Sequence, residues 1–155
     1  MTAGRRVLGI DYGERRIGVA ISDATRTLAR PLTTLTVSGA DDAVARVAGE
    51  IDRLSAEEDG LAAIVVGMPS RLDGSPNDQT PRVRAFITAL AARTSLPIAP
   101  VDERLSSHEA DRRLAVRERD WQRRKARLDA AAAAVILQDY LDLAGGAGGS
   151  SEPGG

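Results

Sequence analysis

The spacing of apolar positions changes character more than once along the chain. Residues Arg6 to Tyr12 and Arg16 to Ser22 are apolar in near-continuous or loosely alternating runs, separated only by Gly13-Glu14-Arg15. A link of that length suits a hairpin, so both runs are predicted to be strands. Leu32 to Val37, rich in Thr and Val, gives a third strand after the break at Pro31. The period then lengthens. Val44, Val47, Ile51 and Leu54 recur at intervals of three and four and mark an amphipathic helix, with Asp41 or Asp42 as its N-cap. Leu61 to Gly67 is a continuous apolar run, as expected of a strand buried on both faces. Thr80-Pro81 supplies an N-cap and a proline at the first helical position, and Val83, Phe86, Ile87 and Leu90 form the buried stripe of that helix. Ile98 to Val101 is another short strand. Ser106 and Glu109 form a capping box that opens a helix through about Val116. A final helix is predicted from near Gln122 to Leu143, and its many alanines would let it lie close against a sheet.

The resulting order, β-β-β-α-β-α-β-α-α, is an antiparallel meander followed by parallel crossovers. Right-handed crossovers set the last two strands beside the first, giving one α/β domain over residues 1–143. The expected architecture is a mixed five-stranded sheet with helices on both faces, the layout of the ribonuclease H-like fold. Residues 144–155 are rich in Gly and Ser and are expected to form a disordered tail.

Candidate chemistry sits where apolar segments end. Asp11 closes the first strand, Glu103 follows the run ending Val101-Asp102, and Asp129 opens the stretch Ala130 to Ala134. Carboxylates at such junctions are costly to desolvate unless they are paired or bind a cation. In the predicted sheet the first and later strand ends meet at one edge, and the last helix presents Asp129 there. Three converging carboxylates would suit a hard cation, Mg²⁺ or Mn²⁺. Each has a simpler reading: a turn Asp before Gly, an acid near a helix N-terminus, a first-turn Asp favoured by the helix dipole. The last of these fails if the final helix begins near Gln122. An Asp-x-Gly after a first strand also occurs in actin-like ATPases, but those clasp the nucleotide between two such domains, and this chain holds one. The polar loop Ser70 to Thr80, with Arg71, Asp73 and Asp78, is longer than packing requires and is expected to contact substrate. His108, the only histidine, reads as a surface residue.

Composition narrows the classes. The 155 residues suffice for one domain with a real core. There is no cysteine, hence no thiolate chemistry and no disulfide framework. No window approaches the ~20 apolar residues of a membrane span, and the apolar run after the basic N-terminus is broken at Asp11, so a cytoplasmic location is expected. Net charge is −1, yet Arg112, Arg113, Arg117, Arg119, Arg123, Arg124, Lys125 and Arg127 crowd one stretch. Guanidinium groups grip phosphate bidentately, although a solvated helix face would carry the same residues. Arg16, Arg71, Arg104, Arg123, Arg124 and Lys125 are the candidate nucleic-acid contacts.

Four stretches, in order over residues 5 to 143, resemble the signatures of the YqgF/RuvX family. They are Gly9-Ile10-Asp11-Tyr12-Gly13 with Arg16-Ile17-Gly18-Val19-Ala20; Val66-Gly67-Met68-Pro69 with Asp73-Gly74-Ser75 and Gln79-Thr80; Asp102-Glu103-Arg104-Leu105-Ser106-Ser107; and Leu128-Asp129-Ala130-Ala131-Ala132 with Ile136 to Leu141. The resemblance implies a fold like that of Holliday-junction resolvases and a nuclease that matures the 5′ end of pre-16S ribosomal RNA. It implies Asp11, Glu103 and Asp129 as catalytic, metal-holding carboxylates. The partners it implies are pre-rRNA or branched DNA, with ribosomal precursor particles in the first case and no membrane in either. A resolvase would act as a homodimer to cut two strands symmetrically; an RNA-trimming enzyme can act as a monomer.

Overall fold

The computed structural model describes residues 4–69, 79–102 and 121–151, with side chains in the last segment described from 129 to 144. Five strands, β1 (Arg6–Asp11), β2 (Arg16–Ser22), β3 (Ala29–Thr36), β4 (Leu61–Met68) and β5 (Ile98–Asp102), form one sheet in the order β3-β2-β1-β4-β5. The pairs β1–β2 and β2–β3 are antiparallel, and β1–β4 and β4–β5 are parallel. This is the meander with parallel crossovers that the hydrophobic pattern implies. The helices are α1 (Ala40–Ser55), α2 (Thr80–Ala91) and α3 (Trp121–Ser151). The helix predicted over Ser106 to Val116 lies outside the described residues.

Side-chain alternation divides the sheet into two faces. Leu8, Ile10, Ile17, Val19, Ile21, Ile64 and Val66 pack on the α1–α2 side with Val47, Ile51, Val83, Phe86 and Leu90. Val7, Ala20 and Val65 face the other way, onto Ala133, Ile136, Leu137 and Leu141 of α3. The second layer is thin because small residues meet across it. A methyl group at Gly9 would lie 2.8 Å from Leu137 Cβ, and one at Gly18 would lie 1.8 Å from the carbonyl oxygen of Asp129. Glycine is required at Gly18 for space, and the alanines of α3 complete the close approach. Gln138 fastens the same helix to the edge of the sheet: its Oε1 accepts from Ala29 N–H (2.9 Å) and its Nε2 donates to Thr27 O (2.9 Å).

Several boundaries differ from the sequence reading. The N-cap of α1 is Gly39, and Asp41 and Asp42 lie in the first turn. Asp42 reaches back to accept from Ser38 N–H at 2.9 Å, which satisfies the chain before the helix and holds its carboxyl below the usual range. Helix α2 is preceded by Gln79, and Thr80 does not cap it. The buried Thr80 hydroxyl donates instead to Pro69 O at 2.7 Å, tying the start of α2 to the end of β4. Strand β3 begins before Pro31. It is an edge strand, and its ladder with β2 shifts register between Val19 and Ala20, beside the missing N–H of that proline. The backbone of α3 continues to Ser151, past the expected end at Leu143 and into the Gly/Ser-rich stretch.

Candidate active site

Parallel strands β1, β4 and β5 all end at one edge of the sheet, at Asp11, Met68 and Asp102. The antiparallel strand β2 begins at the same edge with Arg16. Parity then decides which face each side chain takes. Val7, Gly9 and Asp11 alternate onto the α3 side of β1, and Arg16, Gly18 and Ala20 onto the α3 side of β2. Asp11 is paired in register with Gly18, and Gly18 is the residue against which the Asp129 backbone rests. Asp11 and Asp129 thus flank one glycine, one from the sheet and one from the helix.

Arg16 joins them. Its Nε lies 3.2 Å from Asp129 Oδ2, and both side chains are 27% exposed. The sequence assigns Arg16 to phosphate; among the described residues its charge meets Asp129. A cleft of about 680 Å³ opens over this pair, lined by Tyr12, Gly13, Glu14, Arg15, Arg16, Thr36, Pro69, Gln79 and Asp129. Asp11 is not part of the lining, but its neighbour Tyr12 is. Tyr12 rests on Phe86 with ring centroids 4.7 Å apart, so its ring is held by the core. The turn Gly13-Glu14-Arg15 forms one wall. It is tight enough that a methyl at Gly13 would lie 2.4 Å from Arg16 O. Glu14 pairs with Arg82 of α2 and stands 3.5 Å from Gln79 Nε2, which closes the far wall.

Glu103, Arg71 and Arg104 lie outside the described residues, as do Asp73, Asp78 and His108. Arg123, Arg124 and Lys125 fall within α3, but their side chains are not described. Among the described residues there is no group of three or more His, Asp or Glu side chains that would hold a metal ion. Sequence reasoning did not assign Tyr12, Glu14, Arg15 or Thr36 to the site, whereas Gln79 belongs to the polar stretch Ser70 to Thr80 that is expected to contact substrate. Tyr12 and the turn after it adjoin Asp11 in sequence, a signal that was available. Thr36 reaches the cleft only because β3 folds back beside β2.

Residues 5–143 match the family described as "RuvX: Holliday junction resolvase". The chain belongs to the RuvX family. Among relatives of this RuvX chain, a protein of Chloroflexus aggregans named "Putative pre-16S rRNA nuclease" is 42% identical over 136 residues, 88% of this chain and 92% of that protein. One of the same name from Methylobacillus flagellatus is 41% identical, covering 88% and 90%. The fold is that of ribonuclease H-like resolvases. RuvC of T. thermophilus bound to a Holliday junction superimposes with a TM-score of 0.53 at 16% identity, covering 91% of this chain and 96% of that one. The fowlpox virus Holliday junction resolvase gives 0.52 at 13%, covering 90% and 99%. No described helix of this RuvX protein is long and apolar enough to cross a membrane.

Proposed function

We propose that this RuvX-family protein is a divalent-metal-dependent nuclease that hydrolyses phosphodiester bonds in structured nucleic acid, with the 5′ end of pre-16S rRNA as its substrate in a cytoplasmic setting. The observation that carries the reading is the pair of carboxylates, Asp11 and Asp129, set around Gly18 beside a cleft lined by Arg15 and Arg16. The names of relatives about 40% identical over most of both chains support a nuclease acting on that RNA.

Asp11, Asp129 and Glu103 (next in sequence after Asp102, which ends β5) are the donors we assign to Mg²⁺ or Mn²⁺. An all-carboxylate set is the donor chemistry that hard cations select. Such an ion, when bound, supplies an activated water and positive charge for the leaving oxygen. The chain's own residues do the rest. Gly18 lets the helix carry Asp129 to the sheet edge, and Arg15 and Gln79 offer donors to phosphate oxygens. Contacts of that kind fix the register of a strand without reading its sequence. The chain has one Trp, two Tyr and one Phe, and Phe86 is buried, so stacking of splayed bases is limited and shape recognition is favoured.

A second reading, resolution of four-way DNA junctions, is favoured by the description of the family itself. The deciding experiment offers a pre-16S 5′-leader transcript and a four-way DNA junction to wild type and Asp11→Asn, with Mn²⁺ or EDTA. Metal-dependent cutting of the RNA, lost in the variant, is the expected result. Cutting of the junction alone would transfer the activity to DNA. Binding without cutting of either would make the protein an assembly factor.

A further inference from the structure

We propose that Arg16 is a positioning residue that exchanges partners. It holds Asp129 by an ion pair, gives that carboxylate up to a divalent cation, and then faces the phosphodiester in the cleft. The inference rests on the reading of Asp11 and Asp129 as metal-holding carboxylates.

Three observations carry it. Asp129 Oδ2, the oxygen 3.2 Å from Arg16 Nε, exposes less than 1 Å². A cation that is to reach this oxygen has to displace what now covers it, and the Arg16 guanidinium stands against it. The backbone that carries the carboxylate cannot draw back from the site, because at Asp129 it rests on Gly18 with no space for even a methyl between them. Arg16 can move. It begins β2 immediately after the Gly13-Glu14-Arg15 turn, and both it and Asp129 line the same open cleft.

Electrostatics gives the exchange its direction. A guanidinium and a divalent cation on one carboxylate oxygen repel each other, most strongly where walls of low dielectric replace water. An incoming phosphate removes the conflict by offering Arg16 a new anionic partner, with the planar fork suited to two phosphate oxygens. The pair would thus keep Asp129 in place before loading and link cation uptake to substrate uptake.

Arg6 shows what an arginine without this freedom looks like. Its Nε donates to Gly60 O at 3.0 Å, and its Nη2 reaches Leu54 O at 3.1 Å and Glu57 Oε1 at 2.9 Å.

The test is Mn²⁺ binding to the free protein by titration calorimetry, for wild type, Arg16→Gln, Arg16→Lys and Asp11→Asn, alongside binding of the pre-16S leader RNA. Arg16→Gln should bind Mn²⁺ about fivefold tighter, the order expected when one partly solvated competing ion pair is removed. Arg16→Lys should stay near wild type, and RNA binding by Arg16→Gln should weaken severalfold. A variant that had merely lost structural support would bind Mn²⁺ more weakly, so the sign of the change separates the two roles. Mn²⁺ affinity of Arg16→Gln equal to or below that of wild type overturns the proposal, as does undiminished RNA binding. Failure of the underlying metal reading has its own signature: wild type and Asp11→Asn would bind Mn²⁺ equally poorly, and the proposal would fall with it.

Discussion

At the two ends of the sheet, arginines of similar sequence setting meet different fates. Arg6, the first residue of β1, is the less exposed, at 12%, and its guanidinium engages two backbone carbonyls and Glu57. Arg16, the first residue of β2, enters at the opposite edge because the two strands are antiparallel, and there, among the described residues, it meets the Asp129 carboxylate in an open cleft. The first arrangement satisfies carbonyls at the end of α1 and in the turn before β4, and fixes the chain. The second leaves a cation and an anion beside space for a ligand. Residue type does not distinguish a structural arginine from a functional one; the number and kind of acceptors around it do.

Substitutions at the two edges should therefore separate activity from stability. The largest effect is expected from Asp129→Asn, which should lower cleavage by about a thousandfold, the equivalent of ~4 kcal/mol of lost charge stabilisation. Its thermal midpoint should stay close to that of wild type. A variant that cleaves normally would remove Asp129 from the site. Next is Gly18→Ala. With its Cβ 1.8 Å from a backbone oxygen, the helix must shift, at a cost of about 3 kcal/mol in urea unfolding. Cleavage by the folded fraction should also fall, because the same shift moves Asp129. Retained activity in a destabilised Gly18→Ala protein would show that the site tolerates displacement of α3.

Arg6→Gln should cost about 1–2 kcal/mol through the lost Arg6 donors to Gly60 O and to Leu54 O, the latter keeping the Glu57 N–H, with turnover per folded molecule unchanged. Loss of turnover at full folding would break the contrast between the edges. The smallest effect concerns Asp42. Its carboxyl is held below the ordinary value of 3.8, chiefly by the Ser38 N–H, and the group is partly exposed. A depressed folded-state value gives stability that is present above the unfolded value and lost as pH falls through the folded one. The midpoint difference between wild type and Asp42→Ala should accordingly shrink on acidification below about pH 4. A difference that grows instead would contradict the hydrogen bond from Ser38.

The layers and the strand order were legible because apolar periodicity is a property of long segments. Val44, Val47, Ile51 and Leu54 face the core as spaced, and β4 is buried as a continuous apolar run should be. Cap assignments were less so. Asp42 can serve a helix start from the cap or from within the first turn, and only the path of Ser38 and Gly39 selects between them. Thr80 was misassigned for a similar reason: its hydroxyl found Pro69 O, a partner eleven positions away. At the site, the acids were visible from their positions at segment ends. The pairing of Arg16 with Asp129 was not, since 113 positions separate them and only sheet parity and helix docking bring them together. The same holds for Gly18: a sequence displays a glycine without displaying what approaches it.

The docking of α3 on Gly9 and Gly18 also sets an order in time. Synthesis delivers β1 and Asp11 first, whereas the helix bearing Asp129 is the last described element to leave the ribosome. Until it arrives, Val7, Ala20 and Val65 have no cover, and the edge carries Asp11 without its counterpart across Gly18. On the nuclease reading, a growing chain would be inert toward the RNA of the machine that makes it until the helix bearing Asp129 has docked.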